Sequence, residues 1–330
     1  MSGDPNFPSD LDIHPLASAS SDSDVRFDSV AQEGAIKTYG IAGRIWEASH
    51  AMLAYLNPSS PFEFDPPPGP TTFHARDEGQ ATTAIELGSG TGFVAARVAE
   101  WLRPERDLLI ATDLPDVCAL LEMNLHACPA VRVRPLAWGS GEHARRIADE
   151  LGLGLSTNPH RGPDVPPARG LTHVLCSDLI YFPALLAPLL RSLLHLTSPP
   201  FVSRTAPAPA TVILSYKIRS LSKETPFWSS FGLWFEFVPV LARRRRSTKN
   251  NSSPPSSGDG QDEPWTRFSP GGESSDETFV LVAERRPESL DWVIPEADTL
   301  LLSGVGAQGS QCPKTDDQFE QLLLMGMDVS

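Results

Sequence analysis

From residue 81 onward, short apolar runs alternate with longer stretches whose apolar positions recur at helical spacing. The runs Thr82–Leu87, Asp107–Thr112, Val131–Trp138, Leu171–Ser177, Thr211–Lys217, Trp234–Leu241 and Thr278–Glu284 predict seven strands. Phe93–Leu102, Pro115–His126, Pro183–Leu196 and Glu224–Phe231 predict helices, and Pro115 suits a first helical turn. Strands alternating with helices make a parallel sheet covered on both faces. The near-continuous apolar stretches Val174–Cys176 and Val212–Leu214 suit buried strands of that kind. Right-handed crossovers leave few topologies. The seventh strand is placed to pair with the sixth as a long-looped hairpin.

Ahead of this alternation, Ile36–Ile41 predicts a short strand or extended segment. Ala42–Leu56 then predicts a helix, with Ile45, Trp46, Met52, Leu53 and Leu56 at roughly helical spacing and Asn57-Pro58 as its stop. Stretches rich in Pro, Ser and Gly at 58–80, 139–170, 198–210 and 243–276 read as inserted loops, the second holding a short helix. Residues 1–30 are expected to be disordered, 31–302 to form one domain, and 303–330 to be an acidic tail.

The 330 residues are 40% apolar, enough for one sizeable core. Prolines number 32, close to twice the roughly 5% of average usage, which fits the long loops. The net charge of −14 sits mostly at the ends: −5 over residues 1–30, −10 over 262–330, and +1 between them. That distribution argues against general phosphate-driven binding of nucleic acid. Cysteines 118, 128, 176 and 312 show no CxxC spacing and no zinc-type Cys/His cluster, so reduced thiols in an intracellular protein are expected. The start lacks a positive n-region and an apolar h-region, so no signal peptide is expected. The apolar run Leu179–Leu190 is interrupted by prolines and too short for a span of about 20 residues. A monomer is expected, with no membrane or nucleic-acid partner, in the cytoplasm or in cytoplasm and nucleus. The run Arg243–Arg246 before Ser247, Thr248 and Lys249 reads as a nuclear-import signal, a dock for an acidic partner, or a solvated loop.

The chemistry begins at Glu86-Leu87-Gly88-Ser89-Gly90-Thr91-Gly92, which follows a strand and opens a helix. Glycines there let the chain turn sharply and bring bare amides against a ligand. The dinucleotide fingerprint would need a third glycine where Phe93 stands. Glu86, at the strand's end, attracts a cation and repels a phosphate. Asp113 ends the next strand, where an acid accepts hydrogen bonds from ribose hydroxyls. A cofactor with a cationic amino-acid end and a ribose matches both carboxylates. S-adenosylmethionine fits, and NAD fits less well. If the order is 3-2-1-4-5, Asp178 at the end of strand four flanks the same crevice. Asp178-Leu179-Ile180-Tyr181 then brings a carboxylate and a phenol to the reactive end, although Asp178 also suits a helix cap and Tyr181 a core position.

Gly43-Arg44-Ile45-Trp46-Glu47-Ala48, Glu86–Gly92, Ala111-Thr112-Asp113, Ala137-Trp138-Gly139 and Asp178–Tyr181 together resemble the family-16 seven-strand methyltransferases. These are mostly protein-lysine methyltransferases, including those that act on translation elongation factors and chaperones. The resemblance covers roughly 35–285 without the insertions. It implies a doubly wound, Rossmann-like sheet of order 3-2-1-4-5-7-6 with strand 7 antiparallel. It implies cofactor contacts from Trp46, Glu86, Gly88, Ser89, Gly90, Gly92, Asp113, Leu114, Trp138 and Ser177. Trp46 would close the methionine side and Trp138 would border the adenine. Asp178 and Tyr181 would face the acceptor amine of a lysine in a protein substrate. On this reading Asp178 orients the amine, and Tyr181 shapes the channel and relays a proton through water. Phe227 and Trp228 would either flank the acceptor's stem or anchor a helix in the core. A methyltransferase for a small amine, or a NAD-dependent oxidoreductase of similar fold, are the alternatives.

Overall fold

The computed structural model describes residues 12–16, 24–57, 59–68, 81–153, 169–202, 209–245, 264–268 and 278–327. Two helices lead the chain: α1 (Ser29–Tyr39) and α2 (Glu47–Leu56), joined by a 3-10 turn at Gly40–Gly43. The alternation follows as β1 (Thr83–Leu87), α3 (Phe93–Ala99), β2 (Leu108–Asp113), α4 (Cys118–Leu125), β3 (Val131–Pro135) and α5 (Gly141–Leu151). It continues as β4 (His173–Ser177), α6 (Pro183–Leu196), β5 (Thr211–Lys217), α7 (Leu221–Trp234), β6 (Phe235–Pro239) and β7 (Thr278–Arg285). Two further helices, α8 (Asp298–Leu302) and α9 (Gln318–Met327), close the chain.

The seven strands form one sheet of order β3-β2-β1-β4-β5-β7-β6. Pairing from β3 through β5 is parallel, with Glu86 opposite Ala111 and Leu87 opposite Cys176. β7 runs antiparallel to both β5 and β6, placing Leu281 opposite Leu214 and Val282 opposite Val238. The expected Rossmann-like order is therefore the observed one. Alternation along each strand feeds two cores. Ile85, Val174, Val212 and Leu214 join the cluster under α5, α6 and α7. Ala84, Leu175 and Ile213 join the cluster under α2, α3 and α4. Chain order reverses between β1 and β4, and a crevice opens there at the strand C-termini. Among the described residues, no helix is long and apolar enough to cross a membrane.

Several expected elements differ. Ile36–Ile41 is not a strand but the end of α1 and the 3-10 turn. Asp28 caps α1 by accepting from the Ala31 N–H at 2.8 Å, and the buried Gln32 side chain accepts from the Leu16 and Ile45 N–H groups. The Gln32 bonds, made with residues well away in the chain, decide a short apolar run that periodicity leaves ambiguous. The helix expected from Ala42 begins only at Glu47, because Arg44–Trp46 is extended. The expected disorder of 1–30 does not extend to residues 24–30. Phe27 is buried edge-on against Phe93, 5.3 Å between centroids, and Asp24 pairs with Arg26 at 2.7 Å. Residues 1–11 and 17–23 lie outside the described set.

The tail expected at 303–330 is not wholly a tail. Phe319 of α9 is buried and stacks on Trp228, 4.4 Å between centroids, and Gln318 donates to the Phe237 carbonyl. The domain therefore runs past residue 302. Net charge marks which groups stay solvated; it did not reveal the buried face between them. In the basic run, Arg243 and Arg244 belong to a strand, Leu241–Arg244, of a small separate sheet with Phe62–Asp65 and Thr266–Arg267. Arg243 pairs there with Glu63 at 2.7 Å and lies over the Trp265 ring. Arg246 and most of the other insertions lie outside the described residues.

Candidate functional site

The crevice at the strand C-termini encloses a cavity of about 490 Å³. Its floor is the turn after β1. Gly88, Gly90 and Gly92 all take positive φ, at 58°, 55° and 79°. A Cβ on Gly88 would come 2.8 Å from Leu179 and 3.0 Å from Trp138, and one on Gly90 would come 2.9 Å from the Ala42 carbonyl oxygen. Glycine is therefore required twice over, for conformation and for space. The turn is tied to the end of β2: Ser89 N–H donates to the Thr112 carbonyl at 2.9 Å, and Thr112 Oγ1 donates to the Glu86 carbonyl at 2.6 Å.

Two carboxylates face this floor. Glu86 is buried, and its Oε2 has no hydrogen-bond partner. Burial pushes its carboxyl up to about 8, with the Asp113 charge adding to the rise. Asp113 Oδ2 accepts from Gly90 N–H and Oδ1 from Leu114 N–H, both at 2.8 Å. Burial pushes Asp113 up to about 6, and those two N–H groups hold it from rising further. Each oxygen keeps a lone pair for a further donor.

Above the floor, Trp46 ends the extended segment before α2. Its Nε1 donates to the Ile41 carbonyl at 3.1 Å, and the guanidinium groups of Arg44 (4.5 Å) and Arg219 (5.2 Å) both lie over its ring. Arg44 pairs with Glu47 at 2.9 Å through Nη2, while its buried Nε has no partner. Trp138 walls the opposite side, edge-on to Tyr181 at 6.3 Å. Apolar side chains, among them Ile45, Leu136, Leu179 and Phe182, complete the lining.

Asp178 closes β4 with φ at 62°, a conformation that side-chain-bearing residues rarely take. Its N–H donates to the Ser215 carbonyl at 2.8 Å. Its buried carboxylate receives both terminal nitrogens of Arg219, Nη1 at 2.6 Å. The Tyr181 phenol is pushed well above its usual value, first by burial and then by Asp113 and Asp178.

Trp46, Glu86, Gly88, Ser89, Gly90, Asp113, Leu114, Trp138, Ser177, Asp178 and Tyr181 all line the cavity. Gly92 does not. It caps α3, and its added Cβ would meet Leu121 and Leu125 at 3.1 Å, so it serves packing. Phe227 and Trp228 are fully buried and take the core role of the two expected. Arg219, in the link that follows β5, lines the cavity and pairs with Asp178. No spacing signal could reveal that pairing across 41 residues. Arg44 carried no separate role in the sequence reading, since only its unpartnered Nε marks it out.

The sheet, with its one antiparallel strand and its crevice at the reversal of chain order, is a doubly wound Rossmann-like sheet. The family model described as lysine methyltransferase matches residues 29–151. The resemblance read from the tryptophan-bearing leader, the glycine turn, Asp113 and Trp138-Gly139 holds over that segment, and Asp178–Tyr181 lies beyond it. None of the curated proteins matches this chain. Among solved structures, the carbon methyltransferase CurJ is 12% identical, with 63% of this chain and 49% of that chain covered and a TM-score of 0.35. The chain thus spans about half the length of that protein. The O-methyltransferase TomG from Streptomyces achromogenes, solved with SAM, is 11% identical over 77% of this chain and 88% of that one, TM-score 0.37. An O-methyltransferase from Bacillus cereus, solved with SAH, is 8% identical over 78% and 90%, TM-score 0.35.

Proposed function

We propose that the protein transfers a methyl group from S-adenosylmethionine to a lysine side chain of a protein substrate. The observation that carries this reading is a pair of unmet polar atoms on two residues that line the cavity. Glu86 Oε2 and Arg44 Nε are buried and unpartnered, one a carboxylate oxygen and one a guanidinium donor. A zwitterionic amino-acid end offers an ammonium to the first and a carboxylate to the second. The remaining fit is to a ribose at Asp113 and to a flat ring beside Trp138, where the glycine floor admits close approach.

When bound, the cofactor supplies an electrophilic methyl on a sulfonium. The chain's own residues do the rest by positioning and by excluding water. A lysine with its reference pKa near 10.4 must lose a proton, at a cost of about 4.6 kcal/mol at pH 7. The apolar lining from Ile45, Leu136, Leu179 and Phe182 favours the neutral amine, as does a nearby sulfonium charge. Asp178 orients the amine through a hydrogen bond, and the Tyr181 phenol shapes the channel. The match of residues 29–151 to a lysine methyltransferase family supports the acceptor class.

The test is incubation of the protein with methyl-labelled S-adenosylmethionine and cell extract, followed by acid hydrolysis of the labelled fraction. Label in methyl-lysine is the expected result, lost on Asp178→Ala while S-adenosylhomocysteine still binds. Label confined to small molecules would replace the protein substrate with a small amine. An Asp178→Ala variant with undiminished turnover would remove Asp178 from the reaction.

A further inference from the structure

We infer that Arg219 is a latch on the acceptor subsite: its guanidinium holds the Asp178 carboxylate, and an incoming amine reaches that carboxylate only by displacing it. The inference rests on the methyl-transfer reading of the cavity.

The pair is built asymmetrically. The Asp178 side chain is 0% exposed, whereas that of Arg219 is 29% exposed. Asp178 is fixed by its left-handed backbone and by its N–H bond to Ser215, within the sheet. Arg219 stands in the short link between β5 and α7, at the mouth of the cavity. One partner is anchored, and the other is a partly exposed side chain whose guanidinium has one further bond, from Nη1 to the Lys217 carbonyl at 3.2 Å. The fork occupies both carboxylate oxygens, since Nη1 bonds Oδ1 at 2.6 Å and Nη2 bonds Oδ2. A third ligand on Oδ1, the Lys217 N–H at 3.4 Å, is long. An amine approaching Asp178 therefore finds both oxygens taken.

The latch also resembles what it excludes. Arg219 presents a cation on an aliphatic stem, with its guanidinium 5.2 Å from the Trp46 ring centroid. A lysine side chain presents the same charge on a similar stem and suits the same carboxylate and the same ring. A second resting place exists for the released guanidinium. Glu47 opens α2 beside Trp46, is partly exposed, and holds a single salt bridge, to Arg44 at 2.9 Å. Arg219 stays strongly protonated against the desolvation of its site, held so by Asp178 first and then by the charges of Glu47 and Glu224. Glu224 is already engaged by the Tyr216 phenol and by Ser220 N–H at 3.0 Å, which leaves Glu47 as the alternative partner.

Acceptor affinity is then reduced by the fraction of time the latch is open. A latch closed about nine-tenths of the time weakens the apparent affinity about tenfold. The probe is n-butylammonium, the bare stem of a lysine, titrated by calorimetry into protein saturated with S-adenosylhomocysteine. Arg219→Met keeps an aliphatic group against Trp46 and removes the fork. It is expected to bind the probe about tenfold more tightly than the wild type. Arg219→Lys leaves a single-pronged cation and is expected to fall between. Adding Asp178→Asn to Arg219→Met is expected to abolish the gain. Equal or weaker probe binding by Arg219→Met, or a gain that survives Asp178→Asn, overturns the latch. If Arg219→Met does not fold, Arg219→Lys decides alone, and unchanged probe affinity there overturns it. Failure of the wild type to bind S-adenosylhomocysteine would remove the cofactor reading and the latch together. Bound S-adenosylhomocysteine with unaltered probe affinity would remove the latch only.

Discussion

Replacing Glu86 with Gln separates charge from shape at the floor of the cavity. With its carboxyl at about 8, Glu86 holds its proton in roughly nine molecules out of ten at pH 7. The neutral amide of Gln is a close copy of that form, so the empty protein should barely notice the change at pH 7. Binding an ammonium needs the ionised form. Deprotonation costs about 1.4 kcal/mol at pH 7. The charge-assisted hydrogen bond it permits contributes about 1.5–3 kcal/mol. The wild type therefore leads Glu86→Gln by at most about fifteenfold in S-adenosylhomocysteine affinity at pH 7. By pH 8.5 the deprotonation cost has nearly vanished, and the lead grows to about 10- to 150-fold. Calorimetry at pH 6.5, 7.5 and 8.5, in buffers of different ionisation enthalpy, reads both affinity and proton release. About half to nine-tenths of a proton should leave the wild type on binding at pH 7, and none should leave the variant at this site. The sign for stability follows from the same shift. The folded protein binds a proton more tightly than the unfolded chain, whose carboxyl sits near 4.5. Wild-type stability is therefore lost as pH rises from about 4.5 through 8, by up to an order of 5 kcal/mol. Glu86→Gln should lack that loss. Equal affinity of the two proteins at pH 8.5, with no proton release from either, would refute the reasoning.

Gly88→Ala puts a methyl 2.8 Å from Leu179 and 3.0 Å from Trp138 at positive φ. It should lower stability by about 1–2 kcal/mol and weaken S-adenosylhomocysteine binding by about tenfold or more, read by thermal melting and calorimetry. Phe319→Ala removes the ring stacked on Trp228 and should cost about 3–5 kcal/mol in urea unfolding. A loss under about 1 kcal/mol would put α9 outside the folded unit. Burial pushes His173 down to about 4 from its ordinary 6.5, so the unfolded chain binds the proton more tightly. Stability should fall as pH drops from 6.5 towards 4, by about 2 kcal/mol between pH 7 and pH 5. His173→Gln should flatten that slope in chemical unfolding, and an unchanged slope would assign it elsewhere.

The sheet was legible because its signals are local. Apolar runs, turn glycines and strand-ending acids each act within a few residues, and they gave the seven strands and their alternation. The carboxylates of Glu86 and Asp113 were legible for the same reason, since the turn places them at strand ends. What escaped the sequence depends on long-range packing. The end of α1 looked like a strand at Ile36–Ile41 because the hydrogen bonds of buried Gln32 leave no periodic trace. The docking of α9 was hidden because its contacts, Phe319 on Trp228, Gln318 on the Phe237 carbonyl and Leu322 and Leu323 against the core, are made with residues far away in the chain. Arg219 and Asp178 read as separate residues because their contact exists only once β4 and β5 lie side by side.

The central claim is that the unmet atoms of Glu86 and Arg44 receive the amino-acid end of S-adenosylmethionine. A crystal structure with S-adenosylhomocysteine tests it most directly. The account predicts its ammonium on Glu86, its carboxylate on Arg44 and its ribose hydroxyls on Asp113. A ligand seated with its amino-acid end elsewhere, leaving Glu86 Oε2 unpartnered, would contradict it.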